Sequence, residues 1–269
     1  MEVPLPGDVI KNGFLSADLT SHIEKVRAHC APWFQHAERL NQLAQRIATT
    51  QRDITSDTGL ADARLLALML LNRALSNFQG TILMTERGMI VEARTLARSC
   101  LESALCLAGI KADPEHWRSM LHDELASKKA RGKFILKNVN TLDPSRRKAL
   151  SEYVENLEKQ KGLSTLKYEE VADRAGVGEL YLFYRQLSAD SAHPSITALN
   201  RYVSSEKDDE VKEIQWMPVL ELDEVVETIA FACSFLMLAC TALGQMLPNA
   251  DRNRELQECY NEHTKLSAA

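Results

Sequence analysis

The amino-acid sequence predicts an all-α protein built as a helical bundle, and three observations lead to that fold class. Aromatic residues make up only 6% of the chain, and 11 Gly and 8 Pro among 269 residues are too few for a sandwich or a propeller. Ala- and Leu-rich runs stand where a β protein would have β-branched ones. Apolar residues recur three, four and seven positions apart, which is the periodicity of amphipathic helices.

Three helices are predicted before residue 113, separated by turn signals. Residues 16–50 form the first, because their apolar positions recur at helical spacing. A start signal at Asp57-Thr58-Gly59 opens a second helix over 60–84. Glu86-Arg87-Gly88 is then expected to form a turn before a third helix over 89–110.

A protruding helical arm is predicted over 114–162. Asp113-Pro114 ends the preceding helix, since proline disfavours helical backbone at the residue before it, and opens a helix that continues to Ile135. Asp143-Pro144 opens a second helix that ends near Lys161. That helix is mostly charged, which is typical of a solvated hairpin arm.

The remaining elements are short, apart from one apolar helix. Further helices are expected over 169–175, 178–192 and 223–246, and from 248 onward. A small β-hairpin is predicted within 201–217, although a helix or a loop fits these residues nearly as well. We therefore divide the chain into an N-terminal helical extension, residues 1–56, and a helical-bundle domain, residues 57–269, that includes the arm.

The cysteines and the N-terminus indicate a cytoplasmic protein. None of the six cysteines forms a CxxC pair, and most lie in apolar helical runs, as buried cysteines do in a reducing compartment. No basic segment followed by an apolar one opens the chain, so no signal peptide is predicted. Residues 228–247 carry no charge and are long enough to cross a bilayer, but their Thr, Ser, Gly and Gln residues favour the core helix of a soluble bundle.

Charge and missing motifs exclude several classes of protein. The 32 Lys and Arg residues against 37 Asp and Glu give a net charge of −5, which excludes a histone-like polycation. The chain lacks the GxxxxGK[ST], HExxH and GxSxG motifs and the paired ExxH ligands of a di-iron bundle, so we expect no metal and no cofactor. His22, His29 and His36 recur every seven residues, about 10.5 Å apart along a helix and too far to share one ion. They are expected to form a partner-facing stripe or to have no role.

Two arginines interrupt the apolar face of the helix over 89–110. Arg94, Arg98 and Glu102 lie four residues apart, and a helical wheel places Arg94 within the apolar stripe. An arginine there needs an anionic partner, because burying it unpaired costs too much free energy. Glu102 can pair with Arg98 one turn away. Arg94 is therefore either part of a structural ion pair between helices or the donor of a pocket for a phosphate or another acidic ligand.

The best candidate site lies on the helix over 178–192 and at the His193-Pro194 that follows it. Tyr181, Arg185 and Ser188 share one face of this helix, while the opposite face is apolar. The extended turn that proline imposes can bring the His193 imidazole back toward Ser188 and Arg185. A histidine that exchanges protons near neutral pH and an arginine that holds negative charge suit phosphodiester chemistry. The alternative is that His193 only caps the end of the helix.

The arm also carries a cluster of basic residues. Between residues 128 and 148 eight Lys and Arg accompany a single acid, Asp143. Lys128, Lys129 and Arg131 begin this cluster, which can contact a nucleic-acid backbone. Phe134 is its only aromatic residue, so base stacking is not indicated. A solvated helix face remains the simpler interpretation.

Two segments resemble known helical families. GMIVEARTLARSCLESALCLAGI (88–110) and YLFYRQLSADSAHPS (181–195) resemble a bacterial all-helical family of unknown function, over about residues 60–246. More remotely they are similar to the HEPN ribonucleases of toxin–antitoxin and antiphage systems, in which four to six residues separate an Arg from a His. Seven residues separate Arg185 from His193 here. The resemblance implies a homodimer that cleaves RNA without a metal, in which Arg185 stabilises the phosphorane-like charge and His193 acts as acid or base.

Two functions from different classes follow. As an enzyme, the protein is a metal-independent ribonuclease and a toxin or defence effector with an antitoxin or defence partner. Ser188 and Tyr181 then orient the 2′-hydroxyl or the phosphate. The basic arm presents the RNA to a cleft that is expected to be lined by Arg94, Arg98, Arg185 and His193. As a binding module, Arg94, Glu102 and His193 instead recognise an acidic small ligand or a partner protein without chemistry.

Overall fold

The computed structural model describes residues 7–50, 56–189, 195–204, 213–215, 217 and 220–269. The α-helices within these ranges are, in chain order, Gly7–Asn12 (α1), Thr20–His29 (α2), Ala31–Thr50 (α3), Ala63–Glu86 (α4), Ile90–Ala112 (α5), Trp117–Asn138 (α6), Pro144–Glu158 (α7), Tyr168–Arg174 (α8), Leu180–Leu187 (α9), Ile196–Leu199 (α10), Leu222–Met246 (α11) and Ala250–Ser267 (α12). Short 3₁₀ turns lie at Gly13–Leu15, Gly59–Ala61, Pro114–His116 and Asn200–Tyr202. The predicted all-α fold class is confirmed.

The small hairpin within 201–217 is also present. Val203–Ser204 (β1) pairs with Glu213–Ile214 (β2) in an antiparallel arrangement that places Val203 opposite Ile214. These two-residue strands form the only sheet in the part of the chain that the structure describes.

The core is centred on α5 and α11, which pack against each other and against α4. Leu101 and Leu105 of α5 and Ile229 and Phe235 of α11 are fully buried. Each such side chain contributes about 1.5–3 kcal/mol on burial, so this contact stabilises the whole bundle. Helix α3 packs against α4, α11 and α12. The N-terminal extension therefore adds its longest helix to the same core.

Helix α11 is the one helix in the described residues that is long and apolar enough to cross a membrane. Within its most apolar window of 18 residues, 61% of the positions are buried inside the structure. The core helix of a soluble protein has the same length and composition, so this pattern alone is weak evidence for a membrane span.

The single helix predicted over 16–50 is wrong, because α2 and α3 are separate helices that meet at Cys30. Pro32 lacks an N–H group, and its ring would clash with the carbonyl four residues earlier, so a continuous helix cannot pass this point. Cys30 accordingly leaves helical geometry, with φ −107° and ψ 25°.

The break at Cys30 also overturns the expected histidine stripe. His22 and His29 lie on α2, whereas His36 lies on α3. His22 and His36 are buried and His29 is exposed. The three side chains therefore do not form one partner-facing surface.

The connection between α4 and α5 is the turn that the sequence predicts. Helix α4 ends at Glu86, and Gly88 has a φ of +82°, a left-handed conformation that glycine adopts without strain. The start of α4 lies at Ala63, later than the predicted residue 60. Asp62 determines this start, because its side chain accepts a hydrogen bond from the backbone N–H of Arg64.

The arm consists of α6 and α7, which pack along each other. Gly132 lies so close to α7 that a Cβ atom there would come within 2.5 Å of Val154 Cγ2. Asp143 caps α7 by accepting a hydrogen bond from the Ser145 N–H at 2.9 Å. The predicted arm is confirmed, with α7 ending at Glu158.

The six cysteines are all free and buried, as the sequence predicts. Burial raises the pKa of the Cys106 and Cys240 thiols to about 12, so both are protonated at neutral pH. These residues act as small core hydrophobes.

Candidate functional site

Arg94 of α5 is held by α11. Only 4% of its side chain is exposed. Its Nη2 atom forms an ion pair with Glu227, and its Nε atom donates a hydrogen bond to Thr228 Oγ1 at 3.1 Å. Glu224 Oε1 lies 3.9 Å from Nη1. This is the structural ion pair between helices, one of the two interpretations of Arg94, and it occupies donors that an acidic ligand would need.

Arg98 contacts a different helix, α9. Its Nη2 atom donates to the Tyr184 hydroxyl at 2.9 Å, and its guanidinium carbon lies 4.7 Å from the centre of the Tyr184 ring. Glu102, one turn further along α5, lies 3.0 Å from the same Nη2 atom, as predicted. The Nε atom of Arg98 is buried without a hydrogen-bond partner. Arg98 and Glu102 thus attach α9 to the core of the bundle.

Tyrosines surround this attachment. The Tyr184 ring stacks against Tyr181, with centroids 5.5 Å apart, and lies 5.2 Å from Tyr168 of α8. Burial raises the pKa of the Glu102 carboxyl, although the nearby Arg98 partly opposes that rise. Burial also raises the pKa of Tyr168 far above its usual value. Aromatic rings partly cover the Arg98–Glu102 pair, and this partial burial strengthens the interaction between the two charges.

The two faces of α9 divide as predicted. Leu187 is fully buried, and Phe183 packs against Phe231 and Phe235 of α11, with ring centroids 5.0 Å and 6.4 Å apart. Tyr181 lies on the other face and is partly buried by Tyr184. The helix is fixed from both sides, by the core below and by Arg98 beside it.

Arg185 is the exposed member of the candidate site. Its side chain lies in solvent near the C-terminal end of α9 and makes no hydrogen bond or ion pair with any residue in the described ranges. Ser188 lies one turn later, where α9 continues into a π-type turn over 188–189. Its hydroxyl donates to the Tyr184 carbonyl at 2.7 Å, which leaves only its oxygen lone pairs for a substrate.

His193, the second half of the predicted catalytic pair, lies outside the described residues, as does Pro194. The predicted continuation of α9 from residue 190 to 192 lies there too. Among the described residues no group of three or more His, Cys, Asp or Glu is arranged to hold a metal ion.

The basic cluster of the arm is partly neutralised by neighbouring acids. Lys128 Nζ lies 2.5 Å from Glu124 Oε1, and Lys133 Nζ lies 2.5 Å from Glu158 Oε1. By contrast, neither Lys129 nor the exposed Arg131 forms an ion pair with another described residue. The arm therefore keeps some free positive charge, on residues far apart in sequence from Arg185.

The structure thus separates the predicted site residues into three groups. Arg94 binds residues of α11, and Arg98, paired with Glu102, binds Tyr184 of α9. Arg185 faces solvent. Sequence reasoning missed Tyr184 as the partner of Arg98 and Glu227 as the partner of Arg94. The available signal for Glu227 was its position in the first two turns of the most apolar helix, where a carboxylate can pair with a buried arginine of a neighbouring helix.

Comparison with known families matches residues 64–211 to a family of unknown function, DUF5677. The searches of curated proteins and of solved structures find no match.

Proposed function

Because this chain belongs to DUF5677, a family of unknown function, we propose its activity from its own residues: metal-independent cleavage of RNA by Arg185 and His193. One observation supports this choice. Arg185 is the exposed, unpaired arginine of the candidate site in the described residues, whereas Arg94 and Arg98 are bound by Glu227, Glu102 and Tyr184. A phosphate can therefore approach Arg185 without displacing a carboxylate.

The proposed reaction is attack of a ribose 2′-hydroxyl on the adjacent phosphodiester. His193 accepts the 2′-hydroxyl proton as the new O–P bond forms, and Arg185 stabilises the negative charge that develops on the phosphoryl oxygens. The bond between phosphorus and the 5′-oxygen breaks as the new bond forms, and the departing 5′-oxygen takes a proton from solvent water, which gives a 2′,3′-cyclic phosphate and a 5′-hydroxyl end. Tyr181 and Ser188 orient the substrate. Ser188 acts only as a hydrogen-bond acceptor, because its hydroxyl already donates to the Tyr184 carbonyl.

The anchoring of α9 suits this role. Catalysis requires the charged groups to be held in place before the substrate arrives. Arg98 and Tyr184 fix the turn of α9 from which Arg185 projects. In this proposal the protein acts in the cytoplasm as a homodimer, as a toxin or defence effector.

The test is RNA cleavage in EDTA by the purified full-length chain. We expect single-stranded RNA to be cut to 2′,3′-cyclic phosphate ends by the wild type, and the rate to fall by about 10²–10⁴-fold in His193→Ala and in Arg185→Ala. Arg254→Ala, an exposed arginine of α12, is the matched control and should cleave like the wild type. If folded His193→Ala and the wild type cleave RNA equally, the proposed catalytic role of His193 is wrong.

A second candidate function is recognition of a partner protein. Leu182, Ile196 and Ile214 are 68%, 74% and 79% exposed. Leu182 and Ile196 lie on the helices α9 and α10, on either side of residues 190–194, and Ile214 lies in strand β2. Exposed apolar side chains of this size mark contact surfaces on many proteins. Two results together would favour this function: the folded wild type does not cut RNA, and it self-associates whereas Leu182→Asp does not. Light scattering measures the self-association.

A further inference from the structure

A cavity of about 520 Å³ lies between the α8–α9 loop, the first residue of α9, α11 and α12. The lining includes Val177 and Glu179 of the loop, Leu180 at the start of α9, Ser234 and Met237 of α11, and His263 of α12. Its volume falls within the range of about 300–1,000 Å³ that is usual for small-molecule sites.

Two hydrogen-bonded side chains form the polar part of this cavity. Ser234 Oγ of α11 and His263 Nε2 of α12 are 3.0 Å apart. A serine hydroxyl has one donor and two acceptor positions, so this single bond leaves Ser234 with unused capacity. The Nδ1 atom of His263 is buried without a hydrogen-bond partner.

Two neighbouring rings hold the His263 ring in place. The Trp33 ring packs edge-on against it, with centroids 5.2 Å apart, and the buried His36 ring lies 5.4 Å away. Beside the pair, Tyr260 and Thr241 hydrogen-bond to each other at 3.1 Å. A hydrogen-bonding pair that is oriented in advance loses little entropy when a ligand binds.

The charge of the cavity argues against an anionic ligand. Burial, together with the neighbouring His36, lowers the pKa of His263 to about 4, so its imidazole is neutral at pH 7. Glu179 is the acidic residue among the described residues of the lining, and none of these residues is Lys or Arg. The other large side chains are apolar or aromatic, namely Val177, Leu180, Met237, Leu238 and Tyr260.

We propose that this cavity binds an uncharged, largely apolar small molecule with one hydrogen-bonding group, which is anchored by Ser234 and His263. The apolar walls supply most of the affinity, and the Ser234–His263 pair fixes the orientation of the ligand. None of the described lining residues belongs to the proposed catalytic group, so this proposal does not rest on RNA cleavage.

The test uses N-phenyl-1-naphthylamine, a neutral fluorescent probe with two aromatic groups and one N–H donor. Titration into the full-length wild type should give saturable binding. Ser234→Ala removes the anchoring hydroxyl and should raise Kd about five- to tenfold. Val177→Trp fills the cavity from the loop side and should abolish saturable binding.

Ser103→Ala is the matched control. Ser103 is a buried serine of α5 whose hydroxyl donates to the Ser99 carbonyl, and it does not line the cavity. It should bind the probe like the wild type. Circular dichroism and the Tm of each variant establish that it is folded. Unchanged affinity in Val177→Trp, an equal Kd in Ser234→Ala and Ser103→Ala, or absence of saturable binding by the wild type would each overturn the proposal.

Discussion

At the scale of single residues, Arg94 shows how burial determines the role of a charged side chain. Its guanidinium contacts Glu227, Thr228 and Glu224, all within the first two turns of α11. Glu224 also pairs with Arg201. A charge with 4% exposure needs such partners, because no water replaces them. Arg94 therefore joins α5 to α11, and its donors are not free for a ligand.

We expect Arg94→Met to destabilise the protein by about 2–4 kcal/mol, because it removes the buried cation and leaves Glu227 and Thr228 without their partner. Urea unfolding followed by circular dichroism measures this loss. Arg118→Met is the control, since Arg118 and Glu115 form a 2.5 Å pair in which both side chains are mostly exposed. The control should change stability by less than about 0.5 kcal/mol. Similar losses in both variants would contradict a structural role for Arg94.

At the scale of elements, the arm of α6 and α7 is the part of the bundle best suited to contact a long polyanion. Its basic residues divide into those paired with acids, such as Lys128 and Lys133, and those without an ion pair, such as Lys129 and Arg131. Paired charges contribute little to phosphate binding unless the pair breaks. The unpaired residues are therefore the ones we expect to contact RNA under the proposed function.

The double variant Lys129→Ala/Arg131→Ala should weaken binding of catalytically inactive protein, His193→Ala, to single-stranded RNA. The slope of log Kd against log salt concentration should fall by about 1.4, because each lost phosphate contact removes about 0.7. Fluorescence anisotropy at several salt concentrations gives this slope. The charge-matched control is Lys25→Ala/Lys265→Ala, exposed residues of α2 and α12. An unchanged slope in the arm variant, or an equal change in the control, would exclude the arm as the RNA contact.

At the scale of the whole molecule, buried histidines tie stability to pH. Burial lowers the pKa of His22, His36, His116 and His263, to about 4 for His36 and His263. In the unfolded chain a histidine has a pKa near 6.5. Between these values the unfolded state binds more protons than the folded state. The stabilisation is therefore complete above about pH 6.5 and is lost as the pH falls toward 4.

The free energy of unfolding should accordingly decrease steeply between pH 6.5 and 4.5. His36→Gln should reduce the slope of the free energy of unfolding against pH by about 1.4 kcal/mol per pH unit, which corresponds to one proton. The reason is that His36 is fully buried in the folded state. Urea unfolding at several pH values measures the slope. His29→Gln, which replaces an exposed histidine of α2, should retain the slope of the wild type. If His36→Gln keeps the slope of the wild type, His36 is not the source of the pH dependence.

Local signals in the sequence determined most of the helices. The apolar periodicity, the proline boundaries and the glycine of the α4–α5 turn depend on neighbours within one or two helical turns, and the structure confirms them. The Arg98–Glu102 pair is local in the same way. The break at Pro32 carries a signal too, but the apolar periodicity continues through it and masks it.

Only the tertiary structure decided which distant groups meet. Arg94 pairs with Glu227, 133 residues away, and Ser234 pairs with His263, 29 residues away on another helix. Spacing along one helix predicts contacts three or four residues apart, but it does not predict which helices pack together or in what rotation. Whether Arg94 was a ligand donor or a structural ion pair therefore depended on α11. Burial decided the outcome, because a charge removed from water must be matched by the groups that the fold places beside it.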